Sequence, residues 1–168
     1  MSKRKSYIIL AIIVVVGFVI DLITKLIFAR ALSNGEVLVI IPKLLEFRYV
    51  ENTGAAYGML SGKTWLLIVI TLIFIIGFGI YDFFNHANNW WYLFGMGMIL
   101  SGAVGNFVDR IFLGFVRDFI DLKIFNFVFN IADALITFGI ICLGIFFILE
   151  MIKEAKMKKE SNESNDKE

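Results

Sequence analysis

This 168-residue chain has little with which to bind a metal or cross-link itself: one Cys (Cys142), one His (His86) and one Pro (Pro42). A single Cys excludes an intramolecular disulfide, and one His with one Cys cannot assemble a His/Cys zinc or haem site, so no cofactor or metal is expected. Charge is scarce as well. Asp, Glu, Lys and Arg make up 18% of the residues, against about 25% in an ordinary soluble domain. The formal net charge of +1, from 16 basic and 15 acidic residues, leaves no basic footprint for nucleic acid. What fills the chain instead is apolar: 59% hydrophobic residues, 18 Phe and a mean hydropathy of +0.81. Soluble domains run to roughly 45–50% apolar even with Gly counted, so the excess must face a bilayer.

Crossing ~30 Å of hydrocarbon at 1.5 Å per residue takes about 20 mostly apolar residues. Four runs qualify: 7–29, interrupted by Asp21, Thr24 and Lys25; 65–81 and 90–107, both uncharged; and 131–149, with Asp133 alone. An even number of spans leaves both termini on one side, and the basic Lys3-Arg4-Lys5 start and the Lys153, Lys156, Lys158 and Lys159 tail assign that side to the cytoplasm. The first run is too long, and too charged at Asp21 and Lys25, for a cleaved signal peptide. Residues 1–152 read as one integral membrane domain, and 153–168, without aromatic or β-branched residues, as a cytoplasmic tail fraying into disorder. Between spans, Glu36–Val50 reads as two short strands around Pro42, followed by an amphipathic half-helix over Asn52–Leu60 on the membrane surface. The expected fold is thus four transmembrane helices with a small extracytoplasmic sheet.

Each ionisable group at membrane level needs a partner or a purpose. Counted from the cytoplasmic ends of their spans, Asp21 and Lys25 lie about 21 and 27 Å along, and Asn106 and Asp109 about 24 and 28 Å. Asp133 stands just inside its helix from the outer side. All converge on the outer boundary of the hydrocarbon, a level that Asp118, in the connecting loop, can also reach. Ordinary roles exist for several of them. Asp21 with Lys25 suits a helix-internal ion pair, Asp109-Arg110 an interfacial anchor, and Asn130 with Asp133 a helix cap with an acidic first turn. Convergence argues for more, because two neighbouring carboxylates, Asp118 and Asp133, cannot easily both ionise. One holds a proton while the other is charged, and such a pair can activate water against a peptide without a covalent intermediate. Asp133, at a helix N-terminus, is the natural candidate for the ionised member, although the two carboxylates titrate as a unit and the carrier of the proton stays open. Other hydrolytic chemistries lack parts: HExxH needs two His, while Ser101 and Cys142 have no base nearby and His86 lies in the turn at the opposite side of the membrane.

Five blocks carry a resemblance: Asp21-Leu22-Ile23-Thr24-Lys25, Tyr49 to Ala56 (YVENTGAA), Gly102 to Arg110 (GAVGNFVDR), Val116 to Asp121 (VRDFID) and Phe129-Asn130-Ile131-Ala132-Asp133. In order and placement they resemble the motifs of bacterial lipoprotein signal peptidase (signal peptidase II). The resemblance implies a four-helix aspartic endopeptidase that removes signal peptides from diacylglyceryl-modified prolipoproteins just before the lipidated Cys. It implies Asp118 and Asp133 as the catalytic pair. Asn52, Gly54, Asn106, Arg110 and Asn130 would line the site, and Asp21, Lys25 and Asp109 would support it. A monomer in the bacterial plasma membrane among its lipids, inhibited by globomycin, follows from the same likeness. The chain departs from the pattern at Ser101 and Leu22, commonly Gly and Gln, and in a short interval of 15 positions between Asp118 and Asp133 that lacks the usual Trp and Pro. The competing readings are a small proton-coupled transporter using Asp21, Asp118 and Asp133 as a relay, and a non-catalytic assembly protein.

Overall fold

A computed structural model describes residues 2–54, 59–125 and 127–165. It contains four long helices, α1 (Lys3–Leu32), α2 (Thr64–Asn85), α3 (Trp90–Leu113) and α4 (Ile131–Asn165), each long and apolar enough to cross a membrane. Four strands, β1 (Val37–Ile41), β2 (Leu45–Asn52), β3 (Val116–Leu122) and β4 (Val128–Phe129), form one antiparallel sheet in that order. The sheet caps the end of the bundle where α1 and α3 finish and α2 and α4 begin.

Helix α3 is the hub. It packs against the other three helices and is the most buried of the four. Close approach is bought with glycine: a Cβ on Gly102 would strike the carbonyl oxygen of Ala132 in α4, and one on Gly105 would strike Asp21 Oδ2 in α1. Gly17 in α1 likewise vacates the space that Ser101 occupies, which accommodates the departure at that position. The apolar core gathers Leu10, Tyr92, Leu93, Met96, Ile99, Leu143 and Phe146 from three helices.

The helix ends are set by local chemistry. Ser2 caps α1, and Asn89 caps α3 by accepting from the Trp91 N–H at 2.8 Å. Gly114, at φ 83°, terminates α3 in the left-handed conformation that favours glycine. Asn130 and Asp133 form a reciprocal capping box: the Asp133 N–H donates to Asn130 Oδ1 (3.0 Å) and the Asn130 N–H to Asp133 Oδ2 (3.1 Å).

The structure adds to the sequence reading in several places. Helix α3 continues past Phe107 to Leu113, and α2 past Tyr81 to Asn85, because the charges in those extra turns (Asp109, Arg110, Asp82) find protein partners. The tail expected to fray is helix as far as Asn165, consistent with the strong helix propensity of its Lys, Glu, Met and Ala residues. Asp118 stands on a strand: the interval after α3 forms β3, buried along most of its length, and the short β4. Alternating hydrophobicity is absent from β3 because both its faces are covered. The half-helix expected over Asn52–Leu60 falls largely on 55–58, outside the described residues.

Candidate active site

The strand register builds the site. Strand β2 pairs with β3 so that Val50 opposes Asp118 and Asn52 opposes Val116. Asn52 is therefore a diagonal neighbour of Asp118, and its Nδ2 donates to Asp118 Oδ2 at 2.8 Å. Strand alternation turns Phe119 to the opposite face, where it stacks on Phe28 of α1 with ring centroids 4.3 Å apart. That stack fixes the face on which Asp118 emerges. The Asn52 amide is oriented from its other end, since Oδ1 accepts the Gly54 N–H (2.9 Å) while the Gly54 carbonyl accepts from Arg110 Nη2 (3.1 Å).

Asp133 reaches the same place from α4. Asn106 Nδ2 donates to its Oδ1 at 2.8 Å. Asn130, wholly buried, joins the two carboxylates: its Nδ2 donates to Asp118 Oδ1 (2.6 Å) and to Asn106 Oδ1 (3.1 Å), while its Oδ1 accepts the Asp133 N–H. Both carboxylates line a cavity of about 320 Å³ together with Asn52, Asn106, Arg110, Val116, Phe127, Val128, Ile136 and Thr137. Arg110 Nε is buried there with no partner among the described residues.

Asp21, Lys25 and Asp109 lie behind this cavity. Lys25 is 1% exposed, pairs with Asp21 at 2.8 Å and Asp109 at 3.5 Å, and donates to Asn106 Oδ1 at 3.0 Å. An ammonium can only donate, so Asn106 must present its oxygen to Lys25 and its NH₂ to Asp133. Asp21 Oδ1 accepts the Ala132 N–H at 2.8 Å, which docks the start of α4. Asp109 receives Arg117 through Nη2 (2.6 Å), Nε (3.2 Å) and the backbone N–H (3.0 Å), which pins β3 one residue before Asp118. Sequence reasoning overlooked Arg117. The available signal was a basic residue directly before the candidate acid.

Burial, followed by the charge of Asp133, pushes the Asp118 carboxyl up to about 7, against donation from Asn52 and Asn130 and the more distant Lys25. Farther along β3, burial raises Asp121, but donors on Lys123 and Arg48 outweigh it and hold that carboxyl below its usual range. Asp121 is an ordinary ion-pair acid. Among the described residues no three His, Cys, Asp or Glu side chains converge as a metal site requires.

The opposite end of the bundle holds a second polar cluster that the sequence did not suggest. His86 Nδ1 lies 2.8 Å from Asp82 Oδ1 and Nε2 lies 2.6 Å from Ser6 Oγ, while Tyr92 Oη donates to Asp82 at 2.8 Å. The imidazole stacks on Tyr7 at 4.0 Å.

The family description "Signal peptidase (SPase) II" matches residues 13–149. The chain belongs to the signal peptidase II family. Among relatives of this family, a lipoprotein signal peptidase of Caldanaerobacter subterraneus subsp. tengcongensis is 44% identical over 140 residues, covering 82% of this chain and 96% of that protein. One from Staphylococcus aureus is 38% identical over 163 residues, covering 94% and 97%. A solved structure described as a bacterial membrane enzyme, determined by the in meso method at 2.3 Å, superposes with a TM-score of 0.75 at 35% identity, covering 89% of this chain and 90% of that one. As a multi-pass signal peptidase II-family protein with four membrane-length helices and a capping sheet, the chain has the architecture that its sequence implies.

Proposed function

We propose that this enzyme cleaves the signal peptide from diacylglyceryl-modified prolipoproteins just before the lipidated Cys, with Asp118 and Asp133 sharing one proton as the catalytic dyad. Asn130, which bonds to both carboxylates at an open cavity, is the observation that carries this reading. The charges agree with it. Around the cavity Asp21, Asp109, Asp118 and Asp133 face Lys25, Arg110 and Arg117, so a single proton on the dyad makes the group neutral, as a site at membrane level requires.

The chemistry follows from the two environments. Ionised Asp133 takes a proton from water, the oxygen attacks the scissile carbonyl carbon, and Asp118 gives its proton to the carbonyl oxygen. In the collapse of the tetrahedral intermediate, Asp133 passes its proton to the departing amine nitrogen and Asp118 recovers one from the intermediate's hydroxyl. Arg110, whose buried Nε–H has no partner among the described residues, is suited to hold a substrate carbonyl. Charge distribution supports cytoplasmic termini in the bacterial plasma membrane and a site at the outer face, where the lipid-modified Cys resides. Family resemblance supports a monomer that is blocked by globomycin.

The test is cleavage of a diacylglyceryl-prolipoprotein by the purified protein beside Asp118→Asn and Asp133→Asn. Each variant should lose at least about a thousandfold in rate, as removal of essential acid–base groups does. Full activity in either would overturn the dyad.

A further inference from the structure

A second cavity, of about 400 Å³, adjoins the candidate active-site cavity on α4 and shares Phe127, Asp133 and Thr137 with it. The new walls are aromatic. Phe125, Phe127 and Phe129 stand at alternate positions and touch one another, with centroids 5.5, 6.0 and 6.4 Å apart, while Phe138 and Ala134 face them from the first two turns of α4. Phe125 and Phe138 are 43% and 61% exposed.

Resting on the proposed prolipoprotein reading, we infer that this aromatic recess seats an acyl chain of the substrate's diacylglyceryl-Cys. Size decides against the substrate's other apolar part, the signal helix. A helix about 10 Å across fills roughly 420 Å³ per 5.4 Å turn, so the recess holds a single turn. Taking a methylene as about the ~30 Å³ of a water molecule, it holds on the order of a dozen methylenes. Depth agrees: along α4 the recess extends only from Asp133 to Phe138, about 8 Å, directly beside the dyad. The residue next to the scissile bond carries the lipid, so its chain must turn aside at this level. Because lipid tails are as apolar as the recess, entry gains no hydrophobic energy. The recess acts by position, holding the lipidated Cys so that the peptide bond lies over the carboxylates.

The test uses the full-length protein in lipid bicelles and a diacylglyceryl-peptide whose acyl chains end in photoreactive diazirines. Crosslinks should concentrate on 124–138; crosslinks on 66–78 of α2 instead would overturn the assignment. In unlabelled assays Ala134→Phe, which fills the recess, should lower kcat/KM at least tenfold for long-chain substrate and less than twofold for one bearing two-carbon acyl groups. Equal losses on both substrates, or none on either, would count against the recess. Cleavage by the unaltered protein is scored separately: failure to cut either peptide would sink the signal peptidase reading, whereas cutting both with crosslinks elsewhere sinks only the acyl seat.

Discussion

The two ends of the bundle hold polar clusters that look alike in composition and differ in what they can do. At one end Ser6, His86 and Asp82 stand in the order and at the distances of a serine hydrolase triad. At the other, Asp118 and Asp133 are held by three asparagines. Ser6 is wholly buried and its hydroxyl also bonds to the Lys3 carbonyl at 2.9 Å, while Asp82 is occupied by Tyr92. Its atoms are used up in joining α1, α2 and α3. The aspartate end has more carboxylates than cations among the cavity's charged residues, an Arg110 N–H with no partner among the described residues, and a cavity. Spare hydrogen-bonding capacity and access, more than the identity of the residues, separate a site from a clasp.

The sharpest way to break this contrast is at Lys25. Lys25→Met leaves Asp21 and Asp109 buried without their shared cation, a change that costs about 3–5 kcal/mol. Thermal denaturation in detergent should show the loss, with activity falling alongside, while Lys25→Arg should restore part of both. Asn106→Leu is expected to be smaller in stability and selective in function. It removes the donor to Asp133 and the acceptor for Lys25, so kcat should fall about a hundredfold with KM nearly constant, measured on the same lipopeptide. A parallel fall in binding would mean that Asn106 holds substrate and not the dyad.

Smallest are the changes at the clasp. Ser6→Ala and His86→Phe should lower the melting temperature by the loss of one or two buried hydrogen bonds, about 1–3 kcal/mol, and leave cleavage within twofold. Abolished cleavage in Ser6→Ala with intact folding would make the clasp a second site and erase the distinction.

Most of the architecture was legible because bilayer-length apolar runs have few alternatives. The strands β1 and β2 were legible too, since their β-branched residues flank a proline. Strands β3 and β4 were hidden, because a strand covered on both faces loses the period of two and the two-residue strand Val128–Phe129, which pairs with Asp121 and Ile120, is too short to show any period. The proposed dyad came from depth and from the poverty of His and Cys, but the order of the residues around it did not. Whether Asp21, Lys25 and Asp109 stand in the cavity or behind it depends on how α1 and α3 are rotated, and glycines such as Gly105 set that through close contact. The clasp was invisible for a similar reason: Ser6 and His86 are 80 positions apart.

The central claim is that the pair holds one proton, carried by Asp118 below about pH 7. Because burial raises the Asp118 carboxyl to about 7, that proton is present below this value and lost as pH rises through it, leaving two repelling carboxylates and a falling rate. Infrared difference spectroscopy of the protein in lipid, titrated from pH 5 to 9, reads this directly. The account predicts a protonated-carboxyl band that disappears near pH 7 in parallel with kcat/KM and is missing in Asp118→Asn. A band that persists unchanged in Asp118→Asn, or an activity that climbs steadily to pH 9, would contradict it.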